Sequence, residues 1–271
     1  MFVVLFEYYS NIIRFYSGVD MQRRLKRELR EQEIIKNTIE LLSQRGFLDV
    51  RMSDIAKGTQ YSMGTIYSHF ETKEDLLLAC AHTLVLEHKD LLLAIQKQNI
   101  PAIEKIITMV QCSWHMSMQH PDLIEIDNLS MMPSVWRRAT ETRADRLNQL
   151  HVELANIFLD IALDAIEESL DGHAALDKDE TERLAHHLTH GMWGLCVGLS
   201  STAQSGYAST LCPESSEGKY THFTTNYSNF LKGYGWHETD PEAVFERCKA
   251  DAHKVMNQTI WFTDHQTEQH I

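Results

Sequence analysis

What constrains this chain most is how rarely its helical periodicity is interrupted. Only 12 glycines and 5 prolines punctuate 271 residues. Between those breaks apolar side chains recur every three or four positions, not every second one. Over residues 22–45 the stripe is Ile34, Ile35, Thr38, Ile39, Leu41 and Leu42, and Gly46 ends it. Ile55–Ala56 and Ser62 to Phe70 read as two short helices. Thr72, with Glu74 and Asp75 after it, reads as the N-cap of a long helix that fades near Asn99. Pro101 reads as the first helical residue of a segment that His120–Pro121 ends. A short helix before Pro133, one long stretch over 134–170 and a helix from Lys178 to about Ser205 follow, then helices near 219–232 and 241–258. Breaks are expected at Asp171–Gly172 and in the Gly/Ser/Pro-rich segment 206–218, and the last dozen residues read as frayed. No strand pattern or internal repeat is present, so the expected fold class is all-α.

Charge is divided unevenly along the chain. The net charge of −13 splits into −1 over residues 1–20, +1 over 21–75 and −13 over the remainder. Within 21–30, Arg23, Arg24, Lys26, Arg27 and Arg30 face only Glu28. A basic arm thus precedes an acidic body. Charge at the contact face governs attraction to phosphates, and an acidic body limits non-specific adhesion. Residues 1–20 are apolar and aromatic, without the basic start and small-residue cleavage site of a signal peptide. Met21 is the expected translation start, with an extension arm or interfacial anchor as the competing readings of 1–20. No 18-residue apolar stretch exists, so no membrane partner is expected. The five cysteines are odd in number and include no C-x-x-C pair, which fits a reducing cytoplasm better than a disulfide framework.

The polar residues of 51–75 carry the functional signal. Two short helices joined by a tight turn form the minimal unit that sets one helix in a DNA major groove. Ile55 and Ala56 hold the first helix against its neighbours. Ser62 caps the second, where its side chain and the free amides can meet phosphates. Met63, Gly64 and Thr65 occupy the exposed start of that helix, within reach of base edges. Gly64 costs about 1 kcal/mol relative to Ala in a helix, which makes sense where a backbone must approach a partner. Ile66 and Phe70 return to the core at i, i+4. Tyr67 and His69 can donate to phosphates, and Lys73 at the next helix start favours an anion. A plain helical bundle cap accounts for Ile55, Ile66 and Phe70, but gives no reason for Ser62, Gly64, Tyr67, His69 and Lys73 at this spacing.

This stretch resembles the TetR family of regulators through Asp54-Ile55-Ala56, Ser62, Gly64-Thr65, Ile66-Tyr67, His69-Phe70, Lys73 and Leu76, with Gly46-Phe47 closing the helix before it. The resemblance covers some 45 residues. It implies a three-helix helix-turn-helix DNA-binding domain at 21–75 and a larger helical bundle at 76–271 for ligand binding and dimerisation. It also implies a homodimer on a two-half-site double-stranded DNA operator, and regulation, as a repressor, by a small apolar or amphipathic ligand. Two residues depart from the family's habit: Gln60 stands in the turn where a small residue is usual, and Arg51 where Thr caps the first short helix. Arg51 is therefore expected to contact DNA directly.

The body offers less specific signals. Gly191, Gly194 and Gly198 form a small-residue strip beside Leu184, Leu188, Met192, Leu195 and Leu199. A close neighbour is expected there, either a partner subunit or the helix at 219–232. Met109, Trp114, Met118, Met132, Trp136, Phe158 and Trp193 are candidate ligand-pocket walls, with ordinary core as the competing reading. His186 and His190 are spaced for a metal, but two ligands do not make a site, and a solvated cluster is expected. No nucleophile elbow, phosphate loop or zinc-finger spacing occurs, so no enzyme, cofactor or metal is expected. The alternative function is a DNA-bound scaffold or nucleoid-associated protein with a protein partner and no small-molecule effector.

Overall fold

Helix α1, Val19–Asp49, buries the first apolar stripe through Ile34, Ile35, Thr38 and Leu42. It is broken at Gly46, whose φ of 73° and ψ of 161° suit a residue without a Cβ. The chain bends where the stripe ends. In the computed structural model the described residues are 19–169, 176–205, 210 and 215–258. The readings placed on residues 1–18, on the break at Asp171–Gly172, on most of the 206–218 loop and on the C-terminal dozen lie outside them.

Two short helices follow, α2 (Met52–Thr59) and α3 (Met63–His69). The turn between them passes through Gln60 in the left-handed region, at φ 59° and ψ 15°. That conformation costs roughly 1–2 kcal/mol for a residue with a Cβ, which a glycine there would avoid. Ser62 caps α3 as expected, its Oγ accepting from the Thr65 N–H at 3.1 Å. Helix α4, Lys73–Gln96, is capped by Thr72, whose Oγ1 accepts the Asp75 N–H at 2.9 Å.

The later helices are α5 (Ala102–Gln119), α6 (Pro121–Ser130), α7 (Pro133–Trp136), α8 (Glu141–Ser169), α9 (Lys178–Gln204), α10 (Ser216–Gly233) and α11 (Pro241–Gln258). Two expectations change. Pro101 is the N-cap of α5, at φ −51° and ψ 144°, not its first helical residue. The stretch 134–170 is not one helix: α7 stops at Trp136 and α8 begins afresh at Glu141. The physical reason is Asp75, whose Oδ1 accepts the Thr140 backbone N–H at 2.6 Å and its hydroxyl at 2.9 Å. A buried carboxylate that far away in sequence fixes the helix start, and periodicity along 134–170 does not register it. Among the described residues there is no strand, and no helix is long and apolar enough to cross a membrane.

The described residues cluster into two units. One comprises those up to Val85 together with Asp122–Asn148; the other comprises Leu86–Pro121 and those from Gln149 onward. In the first, Ile34, Ile55, Ile66, Phe70, Leu76 and Leu77 are almost fully buried, each worth roughly 1.5–3 kcal/mol of transfer free energy. In the second, α5 packs most closely against α11 and also against α9. Trp114 stacks on Phe223 with ring centroids 4.5 Å apart. The Tyr227 hydroxyl donates to Met192 O at 2.9 Å. Gln111 Nε2 donates to Tyr220 Oη at 2.8 Å and to Phe245 O at 3.2 Å, so this buried amide ties three helices together.

Candidate nucleic-acid interface

Helix α3 is amphipathic along its short length. Ile66 points inward and is fully buried, as is Phe70 just beyond the helix, while Met63, Gly64, Ser68 and Tyr67 face outward. Met63 is 38% and Tyr67 49% exposed. The Ser62 and Thr65 hydroxyls lie 2.9 Å apart at the helix start, a polar pair beside unsatisfied amides. A Cβ built at Gly64 would meet only Ser62 Oγ, at 3.8 Å. Packing within the chain therefore does not demand glycine there.

Two expected contact residues, His69 and Lys73, are placed differently. His69 is turned into the unit: its Nδ1 lies 3.4 Å from Glu31 Oε2 and its side chain is 1% exposed. Burial lowers its pKa, with Glu31 pulling the other way. A buried ring cannot donate to a phosphate, so the expected role is corrected to a packing one. Lys73 reaches back to Phe47, its ammonium donating to the Phe47 carbonyl and lying 4.0 Å from the ring centroid. Burial lowers its pKa too. Its cation joins the end of α1 to the start of α4 and is not presented outward. Arg51 is exposed and makes no side-chain cap; its backbone N–H donates to Asp54 Oδ2 at 3.0 Å.

Two arginines, Arg27 of the basic arm and Arg143, hold the far end of α3. Arg27 donates to Ser68 O at 3.0 Å and Arg143 to His69 O at 3.2 Å. The same Arg143 pairs with Glu31 at 2.8 Å and lies 4.8 Å over the Phe70 ring. Burial would raise the Glu31 carboxyl, but the hydrogen bond and charge of Arg143, with His69 adding to them, hold it below its usual range. Two guanidinium groups from different helices thus cap the negative end of α3, where cations are favoured. No local pattern reveals Arg143 or Glu31, because they are neighbours only in space. Tyr61, just before α3, donates its hydroxyl to Glu33 Oε2 at 2.5 Å, which raises its pKa.

The expected pocket walls do not come together. Met109 is fully buried in the core of the second unit and Phe158 packs partly buried against that core. Met132 is 45% exposed, and Trp136 donates its Nε1–H to Ser130 O at 2.6 Å, both in the first unit. Trp193 is 53% exposed. Of these residues, Trp114 and Met118 line a cleft of about 1430 Å³ between α5, α10 and α11, together with Gln111, Tyr220, Phe245 and Met256. His115 and His253 also line it, with ring centroids 4.3 Å apart. Burial, and then the neighbouring His253 and His120, push the His115 pKa down to about 4. The Met and Trp positions chosen by composition missed the polar face of α10 and all of α11. Among the described residues no group of three or more His, Cys, Asp or Glu side chains could hold a metal ion.

Residues 34–80 match the family described as "Bacterial regulatory proteins, tetR family". No curated protein matches the chain. Among solved structures, a transcriptional regulator from Saccharomonospora viridis in complex with choline is 18% identical, with a TM-score of 0.53; the match covers 74% of this chain and 95% of that one. A tetR-family regulatory protein from Rhodococcus RHA1 is 16% identical, with a TM-score of 0.50 and coverage of 77% and 98%. A gamma-butyrolactone receptor (ArpA-like protein) is 18% identical at a TM-score of 0.50, covering 86% and 100%. These three share the fold.

Proposed function

We propose that this chain, whose residues 34–80 match the tetR family of bacterial regulatory proteins, is a DNA-binding transcriptional regulator that acts as a homodimeric repressor released from its operator by a small molecule. The observation that carries the DNA-reading part is the outward face of α3. Ser62, Met63, Gly64, Thr65 and Tyr67 gather there, and Gly64 has no intrachain reason to be glycine.

Support for a second subunit comes from the glycine strip of α9. A Cβ at Gly191 would lie 2.6 Å from the Phe230 ring of α10, whereas Gly194 and Gly198 have nothing within 4 Å. With Trp193 exposed alongside, this half of the strip suits a self-complementary contact across a two-fold axis. Gly194→Leu should then shift the chain toward monomer in sedimentation while leaving its helical content unchanged. An unaltered association state would remove this face from the interface.

The effector reading rests on the α5–α10–α11 cleft, whose aromatic and methionine walls and polar rim suit an amphipathic molecule. One observation favours the scaffold alternative: Met109 is fully buried and Phe158 packs against the same hydrophobic cluster. Genome-wide footprinting of the purified protein, followed by a small-molecule release screen on the strongest site, separates the two. Release by a compound that protects the cleft supports the repressor. Stable occupancy against every compound, with a co-purifying protein on the body, supports the scaffold.

A further inference from the structure

The N-terminal half of α1 extends well ahead of the tetR-family match at 34–80, and its cations are arranged, not scattered. At about 100° per residue, Arg23, Lys26, Arg27 and Arg30 fall within an arc of about 100° on one face. Leu25 lies on the opposite side and is buried, which anchors the extension as ordered helix. The face is placed by two contacts. Arg27 donates to Ser68 O at the end of α3, and Arg30 lies 5.6 Å over the ring of Tyr61, the residue before the α3 cap. The stripe therefore runs beside the reading helix. The acids nearby are already engaged: Glu28 with Arg24 at 2.9 Å, Glu31 with Arg143, and Glu33 with Tyr61. Arg23 and Lys26 are exposed.

We propose that residues 21–30 form a second DNA-contacting element, an ordered basic helix face that grips the sugar–phosphate backbone flanking the bases read by α3. The partner follows from complementarity and position: a row of cations about 10 Å long, at 1.5 Å per residue, next to the groove-reading helix, meets the polyanion that helix is built to meet. This rests on the DNA-reading function proposed above. The contribution is independent of base sequence, because phosphate contacts position the protein and carry no code.

The test compares the full-length protein, the double variant Arg23→Gln/Lys26→Gln and the control Arg24→Gln. Each is titrated against the footprinted operator and against a random duplex between 50 and 200 mM salt. Glutamine keeps the helix propensity. Losing two phosphate contacts should flatten the salt slope by about 1.8, so the double variant's deficit shrinks about tenfold across that range. Its footprint should also retract at both outer edges while base preference stays the same. Arg24, off the stripe and paired with Glu28, should leave the slope unchanged. A double variant with wild-type slope and footprint on an operator that the wild type binds specifically overturns this proposal alone. A wild-type chain that binds no duplex overturns it together with the function it rests on.

Discussion

The two units differ in what their polar side chains are for. In the first, the outward residues of α3 are not packed against the rest of the unit: a Cβ at Gly64 would meet only Ser62 Oγ, at 3.8 Å, and Tyr67 is half exposed. In the second, Gln111, Tyr220 and Tyr227 are spent on holding helices together. The first unit keeps an exposed polar reading face on a tightly pinned core. The second has a polar-rimmed cleft beside a hydrophobic core. A reading element needs rigidity behind it, and the rigidity here comes from Asp75, Arg143 and Arg27.

The largest expected effect comes from emptying the support behind α3. Phe70 is fully buried and lies beneath Arg143, so Phe70→Ala should cost 3–5 kcal/mol, on the order expected for a core aromatic. Chemical denaturation measures it; a loss below about 1 kcal/mol would mean that the reading helix is not held by this core.

Next is the buried carboxylate of Asp127 in the same unit. Its Oδ1 has no hydrogen-bond partner, and burial pushes its pKa up to about 6 from an ordinary 3.8. The folded state thus holds the proton more tightly than the unfolded one. The stability this confers is complete below about pH 4 and is lost as pH rises through about 6. Asp127→Asn should give no gain at pH 4 and up to about 3 kcal/mol at pH 7.5. Pairs of thermal melts at the two pH values decide it. The second unit carries the opposite sign: burial pushes the His88 pKa down to about 4, so its contribution is lost on the acid side, as pH falls below about 6.5.

Smaller again is Arg143→Met. The guanidinium is only 14% exposed and serves Glu31 and the His69 carbonyl. Its loss should cost about 2 kcal/mol of stability, in the range for hydrogen bonds to charged groups. Specific operator affinity should fall with an unchanged salt slope, because this residue positions α3 and touches no phosphate. A flatter slope would make it a direct contact instead.

How much of this was legible in the sequence follows from the distances along the chain. The α2–α3 motif lies within about twenty residues, so Ser62 as cap, Ile66 and Phe70 as core, and Met63 to Thr65 as the exposed start could all be read from spacing. His69 and Lys73 sit at the right spacing too, but spacing does not tell whether a side chain turns outward or folds back. Glu31 and Phe47, which capture them, belong to a different helix. The α7–α8 break needed Asp75, and the cleft needed α5, α10 and α11 to meet; neither leaves a trace in a local pattern. Met and Trp residues look alike whether they line a cavity or fill a core, which is why Met109 and Trp136 were misplaced.

The smallest expected effect is at the outward face of α3, the proposed DNA contact. Tyr67→Phe removes one exposed hydroxyl, leaves stability within about 0.5 kcal/mol, and should weaken binding to every duplex alike, whereas Thr65→Ala should change base preference. Identical specificity profiles for the two would erase the distinction between backbone and base contacts on α3.

The central claim, that this unit reads DNA sequence, is tested most directly by the ratio of affinities for the footprinted site and a random duplex at physiological salt. The prediction is a site of two half-sites centred about 34 Å apart, bound at least about a thousandfold more tightly than random DNA. Equal affinity for both duplexes would contradict it.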